Sequence, residues 1–496
     1  MPSAVIYPDR VYVRLTLALV AALTVFRLWF CTSFELVGDE AYYWLWSKHL
    51  DMSYFSKGPG VAWTIALGTR LFGDTALGVR FWSVVLGAGT SLGMFWLART
   101  LFSARAGFWT VVIGNLTPLF LAGSVLMTID PLSVFFWIAA ALAFWKAKDD
   151  GFEYWALAGL FIGLGMLCKY TNVAEIPSFA LFCLWSPAYR RRLREPGFWI
   201  MLAVALACLA PPILWNQQRG WITVKHLADR GDLDQPWRFM PGEFLEFVGN
   251  QIGVLSPIVF AALVVALICR QDIRDRFPDA WRFLLALFVP LLVFYAALSF
   301  NGADQANWTA PALASVLPLV AAVWIDLVAR SPKARYAARA GVWLSVALVF
   351  AFHVLVWIRL PMERDCLRRI RGSADLARQV ADLQQTKAGT FLIAANYQTA
   401  SLLSFYEPQR PQTFLPHTRE IKNQFAFWPT YGPKQAGCDA LFINNRREIP
   451  AVLTREFRSV SLLAEPYSRY HGYPERQYFV YWCREFQGVD EARPGG

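Results

Sequence analysis

Charged side chains are scarce in this chain of 496 residues, with Asp, Glu, Lys and Arg making up 17% of it against about 25% in an ordinary soluble domain. With 56% hydrophobic residues beside them, this scarcity excludes a single soluble globule, because so much apolar surface needs lipid to cover it. Histidine is rarer still. His49, His226, His353, His417 and His471 show no ligand spacing, so no metal site is expected. A glycine-rich phosphate loop, a Ser-His-Asp order and a Cys-His nucleophile pattern are missing too, which leaves nucleotide-dependent transfer without machinery and calls for no cofactor. The first apolar run lacks a small-residue cleavage site and reads as a retained anchor.

What is present is a series of apolar runs. A bilayer core needs about 20 apolar residues per helix, and roughly eleven candidates follow, near 11–31, 78–98, 107–127, 131–146, 154–168, 171–186, 198–215, 244–268, 283–300, 309–329 and 339–359. Positive loops stay cytoplasmic. One set of alternating loops holds Arg99 and Arg105, Lys146 and Lys148, Arg190 to Arg194, Arg270 to Arg276, and Arg330 to Arg335. The loops around Asp130 and Asn301 to Asn307 lack Lys and Arg, so they, the loop 32–77 and the C-terminal tail are expected on the outer face. The net charge of +11 is explained by anionic headgroups at that cytoplasmic collar, and nucleic acid is not an expected partner.

The expected organisation is therefore an α-helical polytopic membrane module over 1–359 and an exported α/β domain over 360–496. Within the first, the loop 32–77 carries a short helix with Tyr42, Tyr43, Trp44 and Trp46 and, after Gly58-Pro59-Gly60, a second apolar piece. Both read as interfacial helices whose aromatics sit at headgroup depth. In the tail, periodicity predicts helices at 373–383 and 398–406 and strands at 390–395, near 440–444 and near 477–483. Cys366, Cys438 and Cys483 allow one disulfide there, with Cys438 and Cys483 the preferred pair.

Ionised groups at a membrane boundary read first as chemistry. Asp39 and Glu40 follow the first span, and Asp130 ends another apolar run, so acids from different spans are expected to meet at one membrane face. Each has a plainer reading as well. Asp39 suits a helix N-cap, Glu40 a helix N-terminus, and Asp130 a cap before Pro131.

Gly38-Asp39-Glu40-Ala41-Tyr42-Tyr43-Trp44 and Tyr54-Phe55-Ser56-Lys57-Gly58-Pro59-Gly60 are followed in order by several further motifs. These are Met127-Thr128-Ile129-Asp130-Pro131, Leu167-Cys168-Lys169-Tyr170-Thr171, Trp215-Asn216-Gln217-Gln218-Arg219-Gly220-Trp221, Leu255-Ser256-Pro257 and Ala306-Asn307-Trp308-Thr309-Ala310-Pro311. This ordered set resembles bacterial members of the family 39, protein mannosyltransferase-like, GT-C glycosyltransferases, relatives of the lipid A aminoarabinose transferase.

The resemblance implies a multi-pass enzyme of the bacterial inner membrane with its site and tail in the periplasm. Such an enzyme moves a sugar from a polyprenyl-phosphate donor to an acceptor hydroxyl, with lipid A or the lipopolysaccharide core as the leading acceptor. Asp39 matches the proposed base, which a poorly nucleophilic hydroxyl requires. Glu40 and Asp130 complete the acidic set. Lys57 is the first candidate to hold the donor phosphate, beside glycines that let a phosphate approach the backbone, although Ser56-Lys57-Gly58-Pro59 replaces the Asp-His-Pro-Pro turn of many relatives. Lys169 and Arg219 are further phosphate candidates, and snorkelling to the interface is the alternative for both lysines. Tyr42, Tyr43, Asn307 and Trp308 are candidates for sugar or acceptor binding, by hydrogen bonds and ring stacking. The competing class is a transporter or flippase of a lipid-linked sugar, but transporters place binding groups near the bilayer midplane in related halves. Here the charges cluster at one face.

Overall fold

The computed structural model describes residues 8–149, 151–232, 236–302, 305–358, 365 and 367–488. Cys366 and the expected boundary near 359 and 360 lie outside that set.

Among the described residues six helices are long and apolar enough to cross a membrane: Asp9–Phe30, Ala76–Leu101, Ile129–Ala147, Pro278–Ser299, Ala310–Arg330 and Pro332–Leu355. The run at 154–168 is one shorter helix, Phe152–Cys168, while several others are helical but interrupted, and proline marks the breaks. Pro196–Ala207 and Ala210–Gln218 meet at 43°, where Pro211 and Pro212 follow the bend. Pro241–Leu255 and Pro257–Ile268 meet at 104°. There Ser256, driven out of the helical region by the proline after it, adopts φ +70° and accepts a hydrogen bond from the Val259 amide. The run at 107–127 divides into Ala104–Asn115 and Pro118–Gly123.

The chain divides into two compact units. The first comprises Met1–Phe30, Asp51–Thr64 and Arg80–His353. Its helices pack through small residues and aromatic layers, as expected where lipid supplies no hydrophobic drive between helices. Gly159 lies so near Met201 that a Cβ would sit 2.3 Å from its carbonyl oxygen. Phe144 stacks on Phe179 at 4.0 Å and lies 5.9 Å from Phe283, tying three helices together. The indole of Trp137 donates to Ser315 at 2.7 Å, so a buried polar pair also joins two spans.

The second unit comprises Cys31–Leu50, Ile65–Val79 and Val354–Gly496. Its sheet runs in the order β2-β1-β3-β7-β4, built from β1 (Phe391–Ala394), β2 (Thr413–Phe414), β3 (Ala440–Asn444), β4 (Phe457–Ala464) and β7 (Phe479–Phe486), while β5 (Tyr467–Tyr470) and β6 (Tyr473–Gln477) form a separate hairpin. The β2–β1–β3 half is parallel and β7 and β4 are antiparallel. Helices Ser373–Thr386 and Tyr397–Tyr406 pack in the same core. Cys438 and Cys483 are free thiols, which corrects the expected disulfide. Ala440, not Cys438, stands opposite Cys483 in the register.

The helix Gly38–Lys48 belongs to this second unit. Its aromatic face, expected at headgroup depth, is instead packed inside the unit. Tyr42 lies 4.5 Å from the Tyr397 ring and its hydroxyl accepts a 2.7 Å bond from the Gln424 amide. The Trp44 ring meets Phe405 at 5.0 Å. Each buries a large ring while its polar tip finds a partner, the Gln424 amide for Tyr42 and Asp74 for Trp44. Just before them, the Glu35 carboxylate accepts the amides of Ser373 at 2.6 Å and Ala374 at 3.4 Å, an anionic cap on the helix they begin.

Asp74 gathers Trp44 Nε1 at 2.8 Å, Lys48 Nζ at 2.5 Å and Arg410 at 3.0 Å. Burial opposes its charge, but the bonds from Lys48 and Trp44 and the charges of Lys48 and Arg410 outweigh that and hold the carboxyl below its ordinary range. A depressed folded-state value stabilises fully above the unfolded carboxylate range and is lost as pH falls through the depressed value. Asp74→Asn is therefore expected to lower the stability of the purified protein at pH 7 by about 1 kcal/mol, with the gap to wild type closing in thermal melts as pH falls through the depressed carboxyl value. In the first unit a Cβ on Gly58 would stand 2.2 Å from the Leu167 carbonyl oxygen. Gly58→Ala should cost about 1 to 3 kcal/mol in the same melts.

Candidate active site

The first unit builds its polar cluster from the ends of three helical segments. Thr128 is the N-cap of Ile129–Ala147 and accepts from the Asp130 amide at 3.3 Å. The Asp130 carboxylate is thus released from capping. One oxygen takes Lys169 Nζ at 2.8 Å and the other takes Asn307 Nδ2 at 2.6 Å. Lys169, the first residue past helix Phe152–Cys168, also donates to the Asn307 carbonyl at 3.4 Å. Its side chain is only 7% exposed, so the ammonium is held by Asp130 and does not snorkel to the surface. A buried ion pair this well bonded satisfies the charges that burial would otherwise punish. Asp130 also borders a cavity of about 40 Å³ whose wall includes Ser91 and Asn115, and Asn115 accepts a 2.8 Å bond from the buried Arg27.

The turn carrying Lys57 is fastened beside Lys169. Tyr54 N and Ser53 Oγ both donate to the Lys57 carbonyl, at 3.0 and 3.2 Å. Gly58 and Gly60 press on Leu167 and Cys168 at distances that no side chain would allow. Ser53 Oγ lies 3.5 Å from Tyr170 Oη, a further tie to the segment after Lys169. Glycine is used here for close approach of backbone to backbone.

A third segment starts at Arg219. Its guanidinium lies 3.6 Å from Asp51 and 4.4 Å over the Trp215 ring, while Trp215 Nε1 donates to the same Asp51 oxygen at 2.7 Å. Gly220 and Trp221 both take φ +61°, a left-handed pair that turns the chain sharply into helix Ile222–Arg230. This helix carries two groups that the sequence reading passed over. The His226 ring lies 4.5 Å from Phe55, two residues before Lys57. Four residues on, the Arg230 guanidinium lies 5.8 Å over Trp308, which itself lies 5.2 Å from Tyr295. An i, i+4 pair of a histidine and an arginine shares one helix face, and that spacing was the only signal for them in the sequence. Burial, Lys57 and Arg230 together push the His226 imidazolium down to about 4, with Asp229 acting in the opposite direction.

Lys57, Asp130, Lys169, Asn307 and Trp308 are thus brought into one neighbourhood of the first unit, with Arg219 bonded to Asp51 in the segment that leads to His226. Asp39, Glu40, Tyr42 and Tyr43 belong to the second unit. There Val37 is the N-cap, and its amide donates to Glu40 Oε2 at 3.0 Å. The fully buried Glu40 thereby serves the helix start. Asp39, in the first turn, is left for other partners and accepts from Gln398 Nε2 at 3.1 Å and Tyr397 Oη at 3.3 Å. Tyr42 and Tyr43 are buried. Among the described residues no group of three or more His, Cys, Asp or Glu could hold a metal ion.

Residues 56–215 match the family described as dolichyl-phosphate-mannose-protein mannosyltransferase. The chain is 30% identical over 383 residues to the lipid A galacturonosyltransferase RgtD of Rhizobium johnstonii, covering 74% of this chain and 76% of that one. It is 31% identical over 174 residues to the undecaprenyl phosphate-alpha-4-amino-4-deoxy-L-arabinose arabinosyl transferase of Pseudomonas aeruginosa, and that match spans only 32% of the relative's length. In fold it is similar to ArnT from Cupriavidus metallidurans in the apo state, with a TM-score of 0.61 at 17% identity, covering 95% of this chain and 98% of the other. The same protein bound to undecaprenyl phosphate gives the same score. A helical membrane bundle with a sheet-containing C-terminal domain, a match over three quarters of a lipid A transferase and a polar cluster at the ends of its spans lead to one assignment: the chain belongs to the GT-C family of membrane glycosyltransferases.

Proposed function

We propose that this glycosyltransferase takes a sugar from a polyprenyl-phosphate carrier and delivers it to a hydroxyl of lipid A or the lipopolysaccharide core, at the periplasmic face of the bacterial inner membrane. The observation that carries this reading is the cationic neighbourhood of Lys57, with Arg230 close by and the Asp130–Lys169–Asn307 cluster beside it. A phosphate that gains charge as it leaves needs fixed cations already in place. The names of the relatives support donor and acceptor class, since one is a lipid A transferase and another is named for an undecaprenyl phosphate sugar. The alternation of Lys and Arg among the loops supports the orientation.

In this reading Asp39 takes the proton of the acceptor hydroxyl as that oxygen attacks the anomeric carbon with inversion. The bond from that carbon to the phosphate oxygen breaks, and its electron pair leaves with the carrier phosphate. Lys57 faces that developing charge. Asp130, fixed by Lys169 and Asn307, orients a hydroxyl of sugar or acceptor, and Trp308 offers a face for stacking. Lys169 acts chiefly through Asp130, and Arg219 chiefly by fixing the turn into helix Ile222–Arg230. The C-terminal domain over 360–496 is proposed as an acceptor-recognition domain.

Asp39→Asn should reduce sugar transfer in membranes by about 10² to 10⁴, scored by mass analysis of glycolipids from cells with and without the chain, which also names the sugar. Transfer at the wild-type rate would defeat the proposal and return attention to transport. Asp130→Asn, which leaves Lys169 without its counter-charge, is expected to lower kcat/KM by about a hundredfold. Steady-state kinetics with a lipid-linked donor would read it.

A further inference from the structure

The donor phosphate is a diester with one negative charge, whereas the carrier released after transfer is a monoester. A monoester has a second ionisation near 6 and carries close to two charges at neutral pH. Glycosyl transfer therefore adds charge at the phosphate while the acceptor's proton goes to a carboxylate. Two fixed cations suit the diester. The released monoester calls for one more positive charge, and only after the bond has broken.

Helix Ile222–Arg230 holds a group fitted to that task. His226 is half-buried with its ring 4.5 Å from Phe55, two residues before Lys57, and stands one helical turn before Arg230. The charged groups facing it are Lys57 on the opposing turn and Arg230 and Asp229 on its own helix. With no anion present, burial and the two cations keep the ring neutral. A dianion between Lys57 and Arg230 reverses the sign of the local field and favours the imidazolium.

Resting on the donor class proposed above, we infer that His226 is a proton-accepting member of the phosphate site, neutral with the diester donor and protonated with the monoester product. The balance is closed. One C–O bond forms and one breaks, the bond pair goes to the phosphate, Asp39 receives the acceptor proton, and His226 takes a proton from solvent that neutralises the added charge. The proton is returned when the carrier phosphate departs, so product release is coupled to pH. His226 is accordingly a binding residue that separates product from donor.

Calorimetry on the purified full chain in micelles tests this, at pH 7 in two buffers of different protonation enthalpy, with farnesyl monophosphate and its methyl diester as probes. Wild type is expected to take up between about half and one proton per monoester bound and close to none with the diester. His226→Gln should take up none and bind the monoester about tenfold more weakly, with diester affinity unchanged. His226→Asn, checked by the same melts as wild type, guards against a folding defect in one variant. Equal uptake in wild type and variants, or equal uptake with both probes, overturns the inference while leaving the donor class standing. Failure of wild type to bind either probe overturns both.

Discussion

The ion pair between Lys169 and Asp130, shared with Asn307, is the interaction on which the first unit's polar cluster depends. Two charges taken out of water cost several kcal/mol each unless every lone pair and proton finds a partner. Here one carboxylate oxygen takes the ammonium at 2.8 Å, the other takes the Asn307 amide at 2.6 Å, and the ammonium also reaches the Asn307 carbonyl at 3.4 Å. Such a pair contributes little net stability compared with apolar residues of the same volume. Its value lies in geometry, because it locks the start of Ile129–Ala147, the end of Phe152–Cys168 and the segment before Ala310–Arg330 into one arrangement.

Around that lock the chain uses backbone devices that leave side chains available. Thr128 supplies the cap that Asp130 would otherwise have given. Glycines at 58 and 60 bring the Lys57 turn against the end of a span without intervening side chains, and the left-handed Gly220 and Trp221 aim His226 and Arg230. In the second unit the same division of labour recurs. Glu40 satisfies the helix start and leaves Asp39 to side-chain partners. Adjacent acids read alike in a sequence, but one completes a helix and its neighbour does not.

Much of this was legible beforehand, for physical reasons that also mark its limits. Apolar runs announced the helices because burial in lipid has a composition, whereas their breaks at Ser256 and Pro211 depend on where a proline falls within a run. Asp130, Lys169 and Asn307 stood out because a polar side chain at the end of an apolar run is costly unless used. Tyr42 and Trp44 misled, since an aromatic helix face looks the same whether headgroups or a protein core receive it. In the tail, β1, β3 and β7 were readable as apolar strands. The exposed edge strand β4 and the hairpin β5–β6, with Pro474 inside it, carry too little apolar alternation to be told from loop. His226 lacked any ligand spacing, so only its place beside Lys57 gives it meaning.

The matched stretch and the named relatives bear on how such a site can serve different sugars. Residues 56–215 include Lys57, Asp130 and Lys169 but stop before Arg219, His226 and Asn307. A galacturonosyl group carries a carboxylate and an amino-arabinosyl group an amine, so the relatives named for them handle sugars of opposite charge. Under the proposed donor class, a cluster of groups that meets the phosphate can be common to both, because the charge it meets is the same. Sugar choice has to come from groups whose charge or shape can differ without disturbing that cluster. Under the roles proposed above, Trp308 and the neighbouring Tyr295 meet that condition: their rings lie 5.2 Å apart and take no part in the Asp130–Lys169 ion pair. Discrimination between donors would then be built by changing what stands over the lock and leaving the lock itself alone.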